Sequence, residues 1–598
     1  MLRQLADRYL AVDTRSLGLF RIAFGLLLLG NLYDRLSDGG FAAFYTNDGV
    51  FPNHYALFAP VASRIWSPLF GFSTQFEVGC ALAVVAVVYV LYTVGYQTWL
   101  LKWLTVFCVL SVQNRALFMQ NGGHVVMHLV ALWTAFLPLG ERWSVDALIR
   151  SFRIKREHTA AALNGRGWME GRQREIRNLA FLFVCVNFAL IYFFNAIHKN
   201  GITWHDGSAV HYVLWQSRRA TTLAGFLRMH EPSWLSPMLC FGTLVMEWSL
   251  PVLILLPVAR KWCRAVALLF IFALHGGISL FISLGAFSYV MMAFSLLLIQ
   301  TEHWDFLERK LRRERRSRTV LFDESDAFQL QLMRLVARLD GFALLQFEHE
   351  PSGQLRTGSE SGKAAHLAIV RALPLGALWG ATLARLMGAS QKTRARIVSA
   401  FALDRRLESD ASRPSPFAER LREAAFLLSQ GAAVLIAFAV ASQLLLENRA
   451  VLPILRPSRR PQWMSDTIEY LRIPQGWSMF APDAPTTDVR LVVDARLADG
   501  THIDPLTNAP PDFEAPLHGP FLFDVQWCEY HDRVRGSRNL WRGLRDYLAR
   551  TPELRGWPPE KQLTAFEVYE VTSDSPPPGA FEPTNLKRHL LFRSTDPL

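Results

Sequence analysis

The chain has 598 residues, with 63 lysines and arginines against 51 aspartates and glutamates and a formal net charge of +12. Hydrophobic residues make up 51% of it and charged residues only 19%. This composition argues against a disordered protein and against an ordinary soluble enzyme. The six cysteines stand singly with no CxxC pair, which argues against a disulfide framework and against a cysteine-rich zinc site.

Long apolar runs indicate the class of protein. A bilayer core of roughly 30 Å is crossed by about 20 helical residues, so a long run with few charges predicts a membrane helix. The sequence predicts nine spans, and we expect a polytopic α-helical membrane protein that lies in a lipid bilayer. The predicted spans are Leu17–Leu32, Val78–Val94, Leu100–Val112, Val125–Leu139, Leu179–Phe194, Met238–Val258, Val266–Leu284, Phe287–Ile299 and Ala424–Leu446.

Basic residues cluster in the loops after the predicted fourth, sixth and eighth spans, at 140–178, 260–264 and 309–318. Because basic loops stay on the cytoplasmic side, these loops and the N-terminus are expected to face the cytoplasm. This predicts a protein of the cytoplasmic (inner) membrane whose C-terminal domain is extracytoplasmic. A nucleic-acid-binding patch is the alternative interpretation, but each cluster adjoins a span, so no nucleic-acid partner is expected.

The spans and two polar regions divide the chain into four parts. They are a transmembrane domain (1–300), a cytoplasmic insert (301–422), a final transmembrane helix (424–446) and a β-rich C-terminal domain (447–598). In the insert, the pattern predicts a strand at Thr319–Asp323 and a helix at Leu330–Leu339. In the C-terminal domain, alternation and the Asp499-Gly500 turn predict four strands. These are Asp488–Leu497, Phe521–Tyr530, Leu563–Val571 and His589–Phe592.

Three ionisable residues, Lys199, His124 and His275, lie in or beside spans at the same predicted side of the membrane. Ionisable groups at membrane depth are costly and often functional. Each also has an ordinary explanation, because a lysine can extend to the lipid headgroups and a histidine can bond to a neighbouring helix. His124 and His128 could share a helix face as zinc ligands do, but no third ligand has suitable spacing, so no metal is predicted.

Several short motifs stand out in residues 21–300, and a further one follows the last predicted span. The motifs in the first 300 residues are Phe44–Pro52 (FYTNDGVFP), Asn114-Arg115, Asn121–His124 (NGGH), Pro138–Gly140, Trp143–Asp146, Tyr192–Trp204 and His275–Met291. The C-terminal motif is Trp477–Pro482 (WSMFAP). The first set resembles the HTTM family, membrane proteins related to vitamin K-dependent gamma-carboxylase, and the C-terminal motif is similar to the tail of bacterial HTTM proteins.

The resemblance implies roles for particular residues. Lys199 occupies the position of the carboxylase's catalytic base, the second of two consecutive lysines five residues before a tryptophan, and His198 replaces the first lysine. His275 matches a functional histidine, and His124 matches a further active-site histidine. The resemblance therefore implies a catalytic set of Lys199, His124 and His275. The implied cofactor-binding residues are Trp204, Tyr289, Phe287 and His198.

In an enzyme of this kind, an uncharged lysine deprotonates a reduced naphthoquinone, which here would be reduced vitamin K or menaquinol. Reaction with O2 yields a base strong enough to remove a weakly acidic proton from a substrate, to which CO2 can then add. The resemblance implies a peptide or small-molecule substrate on the extracytoplasmic side. Two alternatives stay open: a quinol-linked enzyme that does not carboxylate, and a non-enzymatic membrane scaffold or transport protein with a decayed site.

The insert has a resemblance of its own. Val320–Asp323 and the helix after it look like the start of a DCC-type thiol-disulfide oxidoreductase domain, which has a thioredoxin-like fold. Asp326 and Gln329 stand at the positions of that family's two cysteines. Because thiolate chemistry needs sulfur, the resemblance implies a redox-inactive domain that serves as a scaffold or docking surface.

Overall fold

The structure, a computed structural model, is mainly helical and describes residues 9–597 with internal gaps. Part of the predicted basic clusters at 140–178 and 309–318, and the first four residues of the predicted strand Phe521–Tyr530, lie outside the described residues. The gaps are 38–39, 55–64, 153–158, 165–174, 315–317, 343, 352–353, 374–375, 377–379, 389, 391, 394–395, 397–415 and 515–524.

The first half of the chain is a helical bundle, joined near its start by the antiparallel pair β1 (Ala11–Asp13) and β2 (Glu175–Arg177). Its helices are α1 (Thr14–Leu36), α2 (Gly40–Tyr45), α3 (Gln75–Val94), α4 (Thr98–Arg115), α5 (Gly122–Ala135), α6 (Val145–Phe152), α7 (Ala160–Asn164), α8 (Leu179–His198), α9 (Ile202–His205), α10 (Ala209–Leu214), α11 (Thr222–Met229), α12 (Leu235–Leu255), α13 (Arg260–Phe281), α14 (Phe287–Ser295) and α15 (Thr301–Glu314).

Six helices in the described part of the chain are long and apolar enough to cross a membrane. Several of them carry large apolar side chains that are exposed in the protein itself, such as Val87 (57%), Val245 (63%) and Leu428 (76%). Contiguous apolar surface of this kind is covered by lipid in membrane proteins. The six helices are α1, α3, α8, α12, α13 and residues 420–447 of α19, which is defined below.

The other three predicted spans are also helical, but they are shorter or more polar. At 1.5 Å per residue, the 14 residues of α5 extend only about 21 Å, less than a bilayer core. The Asn121 side chain accepts a hydrogen bond from the His124 backbone and caps the start of α5, while the helix ends at Ala135, before the predicted end of the span at Leu139. Phe287–Leu298 is likewise short, and α4 ends in the polar run Gln113–Arg115. Six spans rather than nine therefore meet the criteria of length and composition.

The insert contains a four-stranded sheet, β3 (Arg318–Phe322), β4 (Leu345–His349), β5 (Arg356–Thr357) and β6 (Glu360–Ser361), in the order β4-β3-β5-β6. The β3 and β4 strands are parallel and are connected by α16 (Ala327–Leu339), whereas β5 and β6 form an antiparallel hairpin beside β3. The predicted strand and helix are therefore confirmed. Two more helices, α17 (Gly362–Ala372) and α18 (Ala381–Met387), precede the final long helix, α19 (Pro416–Glu447).

The C-terminal region combines a sheet with helices. Its antiparallel sheet has the order β10-β9-β7-β8, and three of the four predicted strands and the turn at Gly500 (φ +84°) are confirmed. The strands are β7 (Thr487–Leu497), β8 (His502–Ile503), β9 (Leu563–Asp574) and β10 (Thr584–Arg593). The helices are α20 (Gln462–Leu471), α21 (Val525–Gly536) and α22 (Trp541–Leu554).

The predicted strand Phe521–Tyr530 is wrong over its described part, because residues from Val525 onward form α21. Trp527, Tyr530 and Val534 are spaced by three and four residues, which places them on one face of a helix. The Trp527 and Tyr530 rings pack against Phe44 of the bundle, with centroids 4.7 and 5.5 Å away. This contact favours the helical period over the alternating one.

His531 of α21 gives the C-terminal region a predicted sensitivity to acid. Burial and the nearby Arg218 and Arg535 lower the pKa of His531 to about 3. An unfolded histidine titrates near 6.5, so stability is fully present above that pH and is lost as the pH falls toward the folded pKa. We expect a loss of about 2 kcal/mol between pH 7 and pH 5 from this residue.

Thermal unfolding at pH 7 and pH 5 tests this expectation. The drop in the unfolding midpoint should be smaller in His531→Gln than in the wild type, and unchanged in the control His589→Gln, whose side chain is exposed on β10. An equal drop in all three proteins would show that His531 is not responsible.

Candidate active site

A buried lysine and a buried glutamate form an ion pair inside the bundle. Lys199 directly follows α8, and Glu247 lies in the middle of α12, which packs against α8. The Lys199 Nζ lies 2.5 and 2.6 Å from the two carboxylate oxygens of Glu247, and the two side chains are only 5% and 8% exposed. A charged group is tolerated away from water only when it is paired, so each residue explains the burial of the other.

Aromatic side chains and a histidine surround this pair. The Trp204 ring centroid lies 4.9 Å from the Lys199 Nζ, within the range of a cation–π contact. Tyr192 lies two turns before Lys199 in α8, and its hydroxyl is 2.8 Å from Nε2 of His275 in α13. Lys199 interacts electrostatically with His275, and Glu247 with Tyr192. We call these five residues the Lys199 site.

His124 belongs to a neighbouring polar cluster. Its Nε2 lies 2.8 Å from a terminal nitrogen of Arg35, which is only 2% exposed. Arg35 also donates hydrogen bonds to the Tyr45 hydroxyl and, at 3.0 Å, to Oδ1 of Asn31. A guanidinium can only donate, so the His124 Nε2 is the acceptor in this contact. We call Arg35, His124, Tyr45 and Asn31 the Arg35 cluster.

Phe287, the first residue of α14, lies between these two groups. Its ring centroid is 5.4 Å from that of His275. On the other side, a Cβ atom added to Gly123 would stand 2.7 Å from the Phe287 nitrogen and 2.9 Å from its Cα. Only glycine permits this approach of two backbones. The start of α5, and with it His124, is thereby held beside the Lys199 site, although His124 itself contacts Arg35.

A comparison with known protein families gives a match over the part of the chain that contains both groups of residues. The HTTM domain matches residues 9–304, a range that contains both the Lys199 site and the Arg35 cluster. Residues 9–304, just under half of the chain, are therefore similar to the HTTM family. HTTM domains occur in membrane proteins related to vitamin K-dependent gamma-carboxylase, and with the six apolar helices this domain indicates an integral membrane protein. A search of curated proteins and a search of solved structures each found no match.

The HTTM domain brings four of the seven sequence-predicted site residues together: Lys199, Trp204, His275 and Phe287. His198 has other contacts. Its Nδ1 lies 2.7 Å from the carbonyl oxygen of Trp477, and its Nε2 accepts a hydrogen bond from the backbone of Ala450. The expected cationic neighbour of Lys199 is therefore engaged elsewhere, and the described partner of Lys199 is the carboxylate of Glu247.

The zinc interpretation of His124 and His128 finds no matching arrangement. Nδ1 of His128 lies 2.9 Å from the carbonyl oxygen of Arg472, while His124 contacts Arg35. The described residues contain no group of three or more histidine, cysteine, aspartate or glutamate side chains placed to hold a metal ion.

The WSMFAP motif of the C-terminal region crosses the loop of the HTTM domain that carries Lys199. We call residues 477–483 the strap. Its hydrogen bonds to residues 195–204 of the HTTM domain involve five of the seven residues of the strap. They join Met479 N to Asn195 Oδ1 (3.0 Å), Trp204 Nε1 to Phe480 O (2.7 Å), Gly201 N to Pro482 O (3.0 Å) and Thr203 N to Asp483 Oδ1 (2.8 Å).

Two cavities flank the segment between α13 and α14. The larger, of about 560 Å³, lies between α1, α13 and α14 and is mostly apolar. Tyr289 is half exposed on its wall, beside Ser288 and Asn31. The smaller cavity, of about 230 Å³, lies under the strap, and Arg219 and Glu529 form its polar wall. Leu284 lines both cavities, so one segment separates them.

Sequence reasoning missed Glu247, Tyr192 and Arg35. Glu247 had a signal, because it is the single charge in an otherwise apolar helix, and such charges face the bundle interior and find a partner. Arg35 had none, because it lies beside Asp34 in the last turn of α1, where a charge is ordinary. Tyr192 had none, since a tyrosine in an aromatic run gives no indication of which hydroxyl will meet a histidine. Only the packing of α8 against its neighbours shows that contact.

Proposed function

We propose that this protein is a vitamin K-dependent gamma-carboxylase-like integral membrane enzyme in which Lys199 is the base that acts on a reduced naphthoquinone. The observation that carries this proposal is the buried Lys199–Glu247 pair beside the Tyr192–His275 hydrogen bond, within an HTTM domain. Ionisable residues within a membrane are costly, and one that is held by a dedicated partner points first to a functional role.

The pair offers a way to obtain an uncharged lysine. Transfer of one proton from the Lys199 Nζ to a Glu247 oxygen turns an ammonium–carboxylate pair into an amine and a carboxylic acid, with no net change in charge. A site that excludes water lowers the cost of this neutral form relative to the charged one. The free Nζ can then accept a proton from a hydroxyl group bound beside it, and Trp204 limits the access of water to that nitrogen.

The residues present fit a quinol with an apolar tail. The 560 Å³ cavity is in the size range of small-molecule sites and is open along the apolar faces of α1 and α14, from which such a molecule could enter laterally. Oγ of Ser288, in the wall of this cavity, is buried and lacks a hydrogen-bond partner among the described residues, and so does Nδ1 of His275 in the Lys199 site. The Ser288 hydroxyl suits an oxygen of a naphthoquinol whose ring contacts Tyr289, while Phe287 connects this position to His275.

The Arg35 cluster would assist by stabilising negative charge. Its buried guanidinium is fixed by His124 and Tyr45, and Asn31 connects it to the wall of the cavity. Preorganised donors of this kind lower the free energy of an anion that develops beside them. When bound, the reduced naphthoquinone would couple its oxidation by O2 to removal of a weakly acidic proton from the substrate, and CO2 would be the co-substrate in a carboxylation.

We also propose the membrane topology that the apolar runs and the basic loops of the sequence predict. Nine crossings, in which the short and almost fully buried α5 and residues 287–298 also pass through the membrane inside the bundle, would put the strap and the C-terminal domain outside and the insert inside if the N-terminus is cytoplasmic. The β-α-β unit and adjoining hairpin of the insert support a thioredoxin-like fold. At its two cysteine positions, the Asp326 carboxylate caps α16 and accepts a hydrogen bond from Gln329. These residues hold the helix start together without sulfur, which supports a scaffold role.

Formation of quinone epoxide tests the proposed function. Purified protein in detergent would receive reduced vitamin K or menaquinol, O2 and bicarbonate, and the products would be separated by chromatography. We expect epoxide from the wild type and a decrease of about 10²–10⁴-fold in Lys199→Ala, the contribution typical of a general base. Lys261→Ala, which changes an exposed lysine at the first turn of α13, is the matched control and should retain activity.

Each outcome has a definite consequence. Epoxide from the wild type and the control alone supports Lys199 as the base and a naphthoquinol as the cofactor. Equal epoxide formation by Lys199→Ala would remove Lys199 from the mechanism. No epoxide from folded wild-type protein would leave the carboxylase-like mechanism without support and would favour the scaffold or transport alternative.

A further inference from the structure

A third cavity lies at the opposite end of the bundle from the strap. It has a volume of about 660 Å³ and is formed by the turn between α3 and α4, the segment 137–141 after α5, and α6. The rings of Trp143 and Trp304 lie 5.4 Å apart, so the segment after α5 and the first turn of α15 meet at this end. Trp143 belongs to the basic stretch 140–178, and α15 leads into the basic cluster at 309–318.

One cation in the wall of this cavity has no carboxylate partner within the described part of the chain. The Lys102 Nζ donates a hydrogen bond to the carbonyl oxygen of Leu137 at 3.3 Å and forms no ion pair there. The two nearby carboxylates are already engaged. Asp146 accepts hydrogen bonds from the backbone of Gln97 and Thr98 at 2.8 and 2.7 Å.

The second carboxylate, Glu141, pairs with Arg150 at 2.8 Å. A second terminal nitrogen of Arg150 donates to the carbonyl oxygen of Gly140 at 2.7 Å. The wall therefore contains two cations and two anions, of which Arg150 and Glu141 form a pair, whereas Lys102 and Asp146 are hydrogen-bonded there to uncharged groups. The buried guanidinium of Arg21, whose electrostatic influence reaches Asp146, adds further positive charge behind the wall.

The surroundings of Lys102 are those of a membrane–water interface. On α4, Trp99 is 69% and Trp103 is 41% exposed, and Ile149 of α6 is 42% exposed on the same cavity. Tryptophans at the end of a membrane helix lie at the level of the lipid headgroups. The cytoplasmic leaflet is rich in anionic lipids, and basic pockets between membrane helices on that side bind their headgroups.

We propose that this cavity binds the phosphate group of an anionic phospholipid, with Lys102 as its main counterion and the acyl chains lying against Trp99 and Trp103. The phosphate oxygens would accept hydrogen bonds from the Lys102 ammonium, which has three N–H donors. The bound lipid would help to anchor the protein in its membrane. This proposal does not depend on the proposed enzymatic function.

Lipid binding measured by thermal unfolding and native mass spectrometry tests this site. Wild-type protein in a neutral detergent would be titrated with phosphatidylglycerol or with phosphatidylcholine. We expect phosphatidylglycerol to raise the unfolding midpoint and to remain bound, with an apparent affinity about fivefold lower in Lys102→Gln. Lys102→Arg should bind nearly as well as the wild type, which separates loss of the charge from misfolding.

Three controls make the result specific. Lys261→Gln changes a lysine at the same end of the bundle, outside this cavity, and should leave binding unchanged. Glycerol 3-phosphate and inorganic phosphate should give no shift, because they lack the acyl chains. An equal shift with either soluble phosphate would assign the site to a free anion and overturn the lipid proposal. Equal binding of phosphatidylcholine, or unchanged binding by Lys102→Gln, would also overturn it.

Discussion

Replacement of Glu247 by Ala is expected to lower the free energy of unfolding by about 3–5 kcal/mol. The substitution leaves the Lys199 ammonium buried without the carboxylate that lies 2.5 and 2.6 Å from it. The cation–π contact with Trp204 is already present in the wild type and contributes only about 0.5–2 kcal/mol, so it does not replace the lost carboxylate. Removal of one partner of a buried ion pair therefore costs much more than the pair contributes as a whole.

A double-mutant cycle separates this explanation from general damage to α12. If an unpaired charge is the cause, Lys199→Met combined with Glu247→Leu should be close to the wild type in stability, because two apolar side chains replace two charges. Thermal unfolding of the wild type, both single variants and the double variant in one detergent gives the coupling. A double variant as unstable as the single variant Glu247→Leu would show that Glu247 stabilises the fold through other contacts.

The same position has a separate consequence for activity. Glu247→Gln keeps a hydrogen-bond acceptor beside the Lys199 Nζ but cannot take up its proton. If the proton transfer within the pair is required, epoxide formation should fall by about 10²–10⁴-fold in Glu247→Gln and be partly restored in Glu247→Asp. Equal activity of the Gln and Asp variants would mean that Glu247 positions Lys199 without accepting its proton.

The helices were readable from the sequence because hydropathy is a local property. Each of the nine apolar segments is helical in the structure, and β3, β7, β9 and β10 lie where alternation predicts them. The ends of individual helices, and the type of one C-terminal element, were predicted less well. The helix α5 ends at Ala135 rather than at Leu139, and the contact of Trp527 with Phe44 makes α21 a helix where alternation predicted a strand.

The candidate site could be predicted from the sequence only in part, because the contacts within it join residues that are far apart in the chain. The family resemblance pointed to Lys199 and His275, and the structure places both in one site with Trp204. It could not indicate that Glu247, 48 residues further along the chain, would be the partner of the lysine. Nor could it indicate that His198 faces the C-terminal segment, since two adjacent residues at a helix end point in different directions.

Replacement of Gly123 by Ala is expected to destabilise the protein by about 1–3 kcal/mol, the usual cost of overpacking a close contact. The new Cβ would stand 2.7 Å from the Phe287 nitrogen and 2.9 Å from its Cα, so the two backbones must separate. Backbone atoms cannot move aside as a flexible side chain can. The adjacent Gly122 is the matched control, because its added Cβ would meet only the Met479 sulfur, at 3.4 Å.

Comparison of these two variants tests whether the contact between α5 and α14 positions the site. Gly122→Ala should unfold near the wild-type temperature, and Gly123→Ala clearly below it. Because Phe287 also contacts His275, a shift of α14 should disturb the Lys199 site and reduce epoxide formation in Gly123→Ala even where the protein remains folded. Equal stability and activity of the two variants would mean that the contact yields easily, and that the Lys199 site and the Arg35 cluster keep their relative position without it.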